Sequence, residues 1–275
     1  MTGLDCLFAP QSVAIVGASR EPGKVGHEIV SAIVAAGFEG KIFPVNPKAD
    51  EIEGLCCFPD LKSIGAVPEL VVIVVSAKFV LKIVTECAEL GVKAAIIITS
   101  GFKESGTSGA ELGKEVLRVA RSRGLRLVGP NCIGVMSTRG KLNASFAGEL
   151  PAVGKVGYFS QSGSLLAAIV DMANASGIGF SKLVSIGNKA DVNELDVMRY
   201  FGDDPDTEVV AGYLETIGDG DAFIRQAEMV SQRKPILLIK SGVTDSGARA
   251  ASSHTGRLSG AESAYECVFE RAGVI

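Results

Sequence analysis

The sequence predicts an α/β protein built of two parallel-sheet domains, and three observations carry that prediction. Short β-branched runs alternate with amphipathic stretches of helix length along nearly the whole chain. The strand runs are apolar throughout rather than alternating, the pattern of strands buried on both faces by flanking helices. The length of 275 residues, with 47% hydrophobic and 21% charged side chains, suits two domains of ordinary size.

Taken in order, strands are expected at Ser12–Val16, Lys41–Val45, Leu70–Val75, Ala94–Thr99 and Arg126–Val128. Helices are expected between them at Gly26–Ala36, Ala77–Leu90 and Gly109–Ser122. The stretch Gly129–Pro151, with Pro130, Gly134, Gly140, Gly148 and Pro151, breaks the rhythm and reads as a connection. The rhythm resumes with strand Val156–Phe159, helix Ser162–Ala175, strand Lys182–Ile186 and helix Asn193–Phe201. It continues with strand Val209–Leu214, helix Ala222–Ser231, strand Ile236–Ile239 and helix Ser259–Ala272. Domains are therefore expected at 1–145 and 146–275, with no internal repeat. A final helix running so close to Ile275 suggests a fragment of a longer protein.

Composition excludes several classes of function. A net charge of −4 leaves no basic excess to neutralise nucleic-acid or membrane phosphates, and the absence of tryptophan argues against a base-stacking surface. The longest apolar runs are strand-sized, too short to span a membrane. The start Met-Thr-Gly-Leu-Asp lacks a basic n-region, so a cytoplasmic location with reduced thiols is expected. The six cysteines are scattered without C-x-x-C spacing, and there are only two histidines; no metal site is expected.

Strand one runs into Gly17-Ala18-Ser19-Arg20-Glu21-Pro22-Gly23-Lys24-Val25-Gly26 and then a helix. Glycines let backbone N–H groups approach a phosphate, and a helix N-terminus adds free donors and a favourable dipole. The loop is longer than G-x-G-x-x-G and holds Ser19 at the second glycine position, so an ordinary glycine turn competes with this reading. Strand two ends in Val45-Asn46-Pro47-Lys48 rather than in a ribose-binding acid. Lys48 suits a ribose phosphate, as in coenzyme A or NADP, or is simply a solvated surface lysine.

The strand Ile236–Ile239 leads into small and polar residues ending in Ser252-Ser253-His254-Thr255-Gly256. His254 has no apolar periodicity around it and lies beyond the C-terminal end of a parallel strand, where α/β sheets place ligands. It is either an idle loop histidine or a functional one. Metal binding lacks partners, since only His27 remains. A serine-triad role with Ser162 lacks the G-x-S-x-G elbow. Covalent catalysis by the imidazole, attacking phosphorus, is the third option. Its phosphoryl oxygens would need donors, and Ser160-Gln161-Ser162-Gly163-Ser164 at a helix start supplies them, unless Ser162 is only an N-cap. Glu215, in Tyr-Leu-Glu-Thr at the end of the strand Val209–Leu214 and at the same sheet edge, could fix the other ring nitrogen or be a solvated acid.

These motifs together resemble the NDP-forming acyl-CoA synthetases, meaning the α-subunit of succinyl-CoA synthetase and, more closely, the α-portion of ADP-forming acetate–CoA ligases. The matching segments are Val-Gly-Ala-Ser (16–19), Val-Asn-Pro-Lys (45–48), Gly-Pro-Asn-Cys-Ile-Gly (129–134) and Gly-Tyr-Phe-Ser-Gln-Ser-Gly-Ser (157–164). Further on they are Ser-Ile-Gly-Asn-Lys-Ala-Asp (185–191), Tyr-Leu-Glu-Thr (213–216), Lys-Pro (234–235) and Ser-Ser-His-Thr-Gly (252–256). The resemblance implies a Rossmann-like CoA-binding domain followed by a flavodoxin-like CoA-ligase domain. The implied reaction interconverts acyl-CoA, phosphate and NDP with acid, CoA and NTP through acyl phosphate and phosphohistidine.

Carried over by motif, His254 would carry the phosphoryl group and Glu215 would orient it. Ser162, Gly163 and Ser164 would bind phosphate. Gly17, Ser19 and Lys48 would contact coenzyme A, which is a substrate here. Asn131 and Cys132 would border the acyl site. Mg-nucleotide would sit only on an ATP-grasp β-subunit or fused domain, which this chain lacks, and an oligomer is expected. Two other readings compete. One is a CoA-sensing regulatory module of a larger protein such as a protein acetyltransferase, which need not keep His254 with Glu215. The other is an NADP-dependent oxidoreductase, which the long glycine loop fits poorly.

Overall fold

A computed structural model describes residues 4–241 and 268–275. The described chain opens with a short helix α1 (Asp5–Phe8), then β1 (Ser12–Val16), α2 (Val25–Ala35) and β2 (Lys41–Val45). A small hairpin follows, β3 (Glu51–Ile52) with β4 (Leu55–Cys56). Next come β5 (Leu70–Ile73), α3 (Ala77–Leu90), β6 (Ala94–Ile97), α4 (Thr107–Ser122) and β7 (Arg126–Val128). The first sheet runs β2-β1-β5-β6-β7 and every pairing in it is parallel. Leu70–Ile73 and Ala94–Ile97 are wholly buried, as apolar strands covered on both faces must be.

The connection expected over Gly129–Pro151 is partly a strand hairpin, β8 (Gly134–Ser137) and β9 (Leu142–Ser145). It pairs antiparallel with the second sheet, so that sheet is mixed rather than purely parallel. The polar inward residues hid these strands. Asn143 and Ser145 are buried but satisfy each other, with Ser145 Oγ donating to Asn143 Oδ1 at 2.7 Å and Asn143 Nδ2 to Gly148 O at 2.9 Å. Buried polar groups cost little when paired in this way.

The remaining elements are β10 (Val153–Ser160), α5 (Gly163–Ser176), β11 (Phe180–Ser185) and α6 (Glu194–Asp203), then β12 (Val209–Leu214), α7 (Gly220–Ser231) and β13 (Ile236–Lys240). The second sheet runs β13-β12-β10-β11-β8-β9, with β10 to β13 parallel to one another. Helix α6 opens on a full capping box, Asn193 with Asp196, which satisfies two first-turn N–H groups. Val274 returns to β13 by a bridge to Ile236. The helix expected at Ser259–Ala272 lies mostly outside the described residues.

The two sheets share buried surface. One apolar cluster joins Val128 of the first sheet to Phe159 and Val184 of the second, and the Phe8 ring stacks on Tyr200 at 4.9 Å between centroids. Polar ties reinforce this. Arg126 Nε meets Asp191 Oδ2 at 2.8 Å, and the same oxygen accepts Leu127 N at 3.1 Å.

Candidate functional site

The C-terminal ends of the parallel strands of both sheets face one cleft of about 1400 Å³. Its walls include the residues that follow β5, β6, β7, β10, β11 and β12. The expected strands Leu70–Val75 and Ala94–Thr99 end two residues early for this reason. Val74, Val75, Ile98 and Thr99 leave the strands and line the cleft. In the second sheet β10 lies between β11 and β12, so the chain departs to opposite sides of it. Such a switch point is where open α/β sheets hold ligands.

At that point β10 gives way to Gln161, Ser162, Gly163 and Ser164, all on the cleft wall. Ser162 is the N-cap of α5, its Oγ accepting Leu165 N at 3.3 Å. Ser160 Oγ clamps the turn, donating to Ser162 O at 2.6 Å and accepting Ser162 N at 3.1 Å. Ser164 Oγ lies 3.2 Å from Ser162 Oγ. Capping satisfies one first-turn donor; the N–H groups of Gly163 and Ser164 have no acceptor within their own helix. The N-cap and anion-cradle readings of Ser162 are therefore compatible, because both use one geometry.

Glu215 follows β12 on the same wall and is half-buried. Gln161 Oε1 accepts both Glu215 N at 3.0 Å and Thr216 N at 3.1 Å. Lys189, at a left-handed φ of 53°, donates from Nζ to Thr216 O at 2.6 Å and pairs with Glu194 Oε2 at 2.9 Å. The strap carrying Glu215 is thus held by residues that follow β10 and β11. Burial lowers the Lys240 ammonium pKa; Glu215 opposes this and Lys189 adds to it. Glu215 therefore stands in the field of Lys240.

His254 lies outside the described residues. The chain leading toward it departs at Ser241, whose N donates to Leu214 O at 2.9 Å, one residue before Glu215.

Asn131 and Cys132 also line the cleft. Asn131 takes a left-handed φ of 58°, and its N donates to Thr99 O at 3.0 Å. The same turn binds the second sheet, since Asn188 N donates to Pro130 O at 2.9 Å and Ala190 N to Gly129 O at 3.0 Å. Gly187 presses so close that a Cβ there would lie 2.4 Å from Pro130 O. The Cys132 thiol is buried, donates to Ile97 O at 3.3 Å, and burial pushes its pKa up to about 12. It is a neutral wall group, not a thiolate nucleophile.

Gly17, Ser19 and Lys48 are not among the residues lining this cleft. They stand at the ends of β1 and β2, and the glycine loop reaches the cleft only at Val25. Gly17 is required by packing as well as by φ (+94°), because a Cβ would sit 2.4 Å from Val74 O. Asn46 ties the two strand ends, donating from Nδ2 to Ala18 O at 2.7 Å and accepting Lys48 N at 2.9 Å. Ser19 Oγ accepts Glu21 N at 3.0 Å, and Lys48 is exposed.

Sequence reasoning missed Gln161, Lys189, Glu194 and the Glu104–Asn188 contact at 2.5 Å across the cleft. Burial pushes the Glu104 carboxyl up, but donors from Asn188, Phe102 and Gly101 outweigh it and hold the pKa below the usual range. Gln161 and Lys189 lay inside conspicuous motifs; Glu194 looked like any first-turn acid of a surface helix. Among the described residues no cluster of metal-ligating side chains occurs, and no helix is long and apolar enough to cross a membrane.

Comparison with known proteins is consistent along the chain. Residues 11–138 match a CoA binding domain and residues 153–275 a succinyl-CoA ligase like flavodoxin domain. The chain is 43% identical over 272 residues to acetate–CoA ligase (ADP-forming) I of Archaeoglobus fulgidus, covering 99% of itself and 39% of that protein. It is 42% identical to acetate–CoA ligase (ADP-forming) I subunit alpha of Pyrococcus furiosus, covering 99% and 60% respectively. The solved structure of dinucleotide forming acetyl-coenzyme A synthetase 1 from Ca. Korarchaeum cryptofilum, in complex with phosphate and ADP, superposes with a TM-score of 0.96. That match has 42% identity and covers 100% of this chain and 59% of that one. The chain thus spans less than two thirds of each of these relatives.

Proposed function

The chain belongs to the NDP-forming acyl-CoA synthetase family, and from that premise we propose that it is the CoA-binding and phosphohistidine-carrying portion of such an enzyme. The observation that carries the proposal is the convergence of the Ser162–Ser164 cradle, Glu215 and the Asn131–Cys132 turn on one cleft. In the proposed sequence phosphate on the cradle attacks the thioester carbonyl; the C–S bond breaks, giving acyl phosphate and CoA. An imidazole nitrogen of His254 then attacks phosphorus, and the acid leaves as its carboxylate. Phosphohistidine finally passes its phosphoryl group to a nucleoside diphosphate held by an ATP-grasp partner.

First-turn N–H donors of α5 stabilise the phosphoryl oxygens at each stage. Glu215 fixes the imidazole tautomer and offsets its positive charge. Gly17, Ser19 and Lys48 take the nucleotide end of CoA, with Lys48 on the ribose phosphate. The CoA part corresponds to residues 1–145 and the ligase part to 146–275, in a cytoplasmic, oligomeric enzyme. A regulatory CoA-sensing module has less support, because it has no use for a histidine in Ser-Ser-His-Thr-Gly together with a carboxylate held on the cleft wall.

The test is phosphorylation. Incubation with acetyl phosphate, or with labelled ATP and an ATP-grasp partner, should give acid-labile, base-stable label that is lost in His254→Ala. Label that persists in that variant would falsify the assignment.

A further inference from the structure

The cleft carries an apolar wall directly against the phosphate cradle. Ile133 follows Cys132, and Phe146 follows β9; Phe146 N donates to Ile133 O at 3.2 Å, so the two residues extend the β8–β9 ladder into the cleft. Ile133 lies over the first residue of α5, where a Cβ built on Gly163 would meet Ile133 Cγ2 at 2.8 Å. Phe146 is 39% exposed and has no ring or cationic partner among the described residues.

The geometry points to Ile133 and Phe146 as the acyl-chain subsite, selecting monocarboxylic acids with apolar chains. This rests on the functional reading given above. In an acyl phosphate the carbonyl carbon is bonded to the oxygen that bridges to phosphorus, and the chain begins at the next carbon. With phosphate on the Gly163 N–H, the chain has to leave the cradle across its neighbours, and the side chain packed on Gly163 is Ile133. Phe146 continues that surface with an open ring face, a fitting contact for alkyl or aryl groups. Neither side chain can donate to a second carboxylate, which would be desolvated without a partner. The lining lysines stand on other elements, and Lys189 is already paired with Glu194.

The experiment follows thioester formation from CoA and a series of acyl phosphates: acetyl, butyryl, benzoyl and succinyl. The wild-type protein should favour butyryl over succinyl phosphate by roughly tenfold or more. Ile133→Ala and Phe146→Ala should lower the butyryl-to-acetyl ratio of kcat/KM about tenfold and leave CoA affinity unchanged. Phe146→Lys, at an exposed position, should raise the succinyl-to-butyryl ratio by a similar factor. Ile133→Val, which deletes one methyl group, covers the case in which Ile133→Ala does not fold.

Acyl profiles of the variants that superimpose on the wild type, or a wild-type preference for succinyl phosphate, would overturn the assignment. If the wild type transfers no acyl group, the functional reading fails, and calorimetry with acetyl-, butyryl- and succinyl-CoA judges the wall by itself. Butyryl-CoA affinity must then fall relative to acetyl-CoA in both alanine variants, and equal affinities reject the wall.

Discussion

Lys189 and Glu194 form a buried ion pair, Nζ to Oε2 2.9 Å, with side chains 10% and 4% exposed. It joins the loop after β11 to the first turn of α6, and the Lys189 ammonium also donates to Thr216 O. A charge pair this dry is retained through mutual compensation, because either member alone would be a desolvated ion. Its placement beneath the Glu215 strap gives it a positioning role.

Lys189→Met is therefore expected to destabilise the protein by about 3–5 kcal/mol, the usual cost of leaving one buried partner uncompensated. Urea denaturation checks this. Lys189→Met combined with Glu194→Leu should recover most of the loss; equal loss in the single and double variants would show that the pair does not act as a unit.

Gly163→Ala should cost about 1–3 kcal/mol through overpacking against Ile133, partly offset by the better helix propensity of alanine, up to about 1 kcal/mol. Ile133→Ala in the same chain should relieve the clash. A thermal melt of the two single variants and the double variant measures that coupling.

Cys132 gives a pH dependence. Its thiol is raised by burial from 9.0 to about 12 in the folded protein, so the unfolded chain ionises first. The stability contributed is complete below pH 9 and declines as pH rises from there toward 12, at about 1.4 kcal/mol per unit. Cys87, also raised by burial, adds to the decline. Urea midpoints across this range should fall less steeply in Cys132→Ala. At neutral pH native Cys132 should resist iodoacetamide while exposed Cys56 reacts, as peptide mapping would reveal.

Two substitutions separate the ends of the proposed cleft chemistry. Glu215→Gln should slow phosphorylation of His254 about 10²-fold, the scale of a lost general-base partner, with CoA binding unchanged. Lys48→Ala should weaken CoA roughly tenfold, the scale of one charge-assisted bond, and dephospho-CoA hardly at all. Equal losses for both ligands, read by calorimetry, would remove Lys48 from the ribose phosphate.

Much of this was legible in the sequence. The β-branched runs that read as strands are the strands, since Leu70–Ile73 and Ala94–Ile97 have no other way to bury themselves. Ser162–Ser164 and Glu215 were found from strand ends and Asn131 and Cys132 from a motif of the family, and the sheets deliver all of them to one cleft. What stayed hidden depends on contacts between distant residues. β9 lacked an apolar pattern because two of its four residues, Asn143 and Ser145, are polar, and they are buried by bonding to each other. Lys189 and Glu194, five residues apart in the sequence, carry no local signal that they pair, and folding brings them together. Ile133 and Phe146, twelve intervening residues apart in the sequence, become neighbours only through the hairpin.

The Gly129–Asn131 turn bonds to Thr99 on one side and to Asn188 and Ala190 on the other. The two sheet edges therefore cannot separate without breaking hydrogen bonds at the floor between them, and the described walls are already in register before any ligand arrives. A site of this kind leaves a calorimetric signature. The heat-capacity change on binding an acyl-CoA should match the apolar area that the ligand itself buries, with no added contribution from coupled folding of the walls.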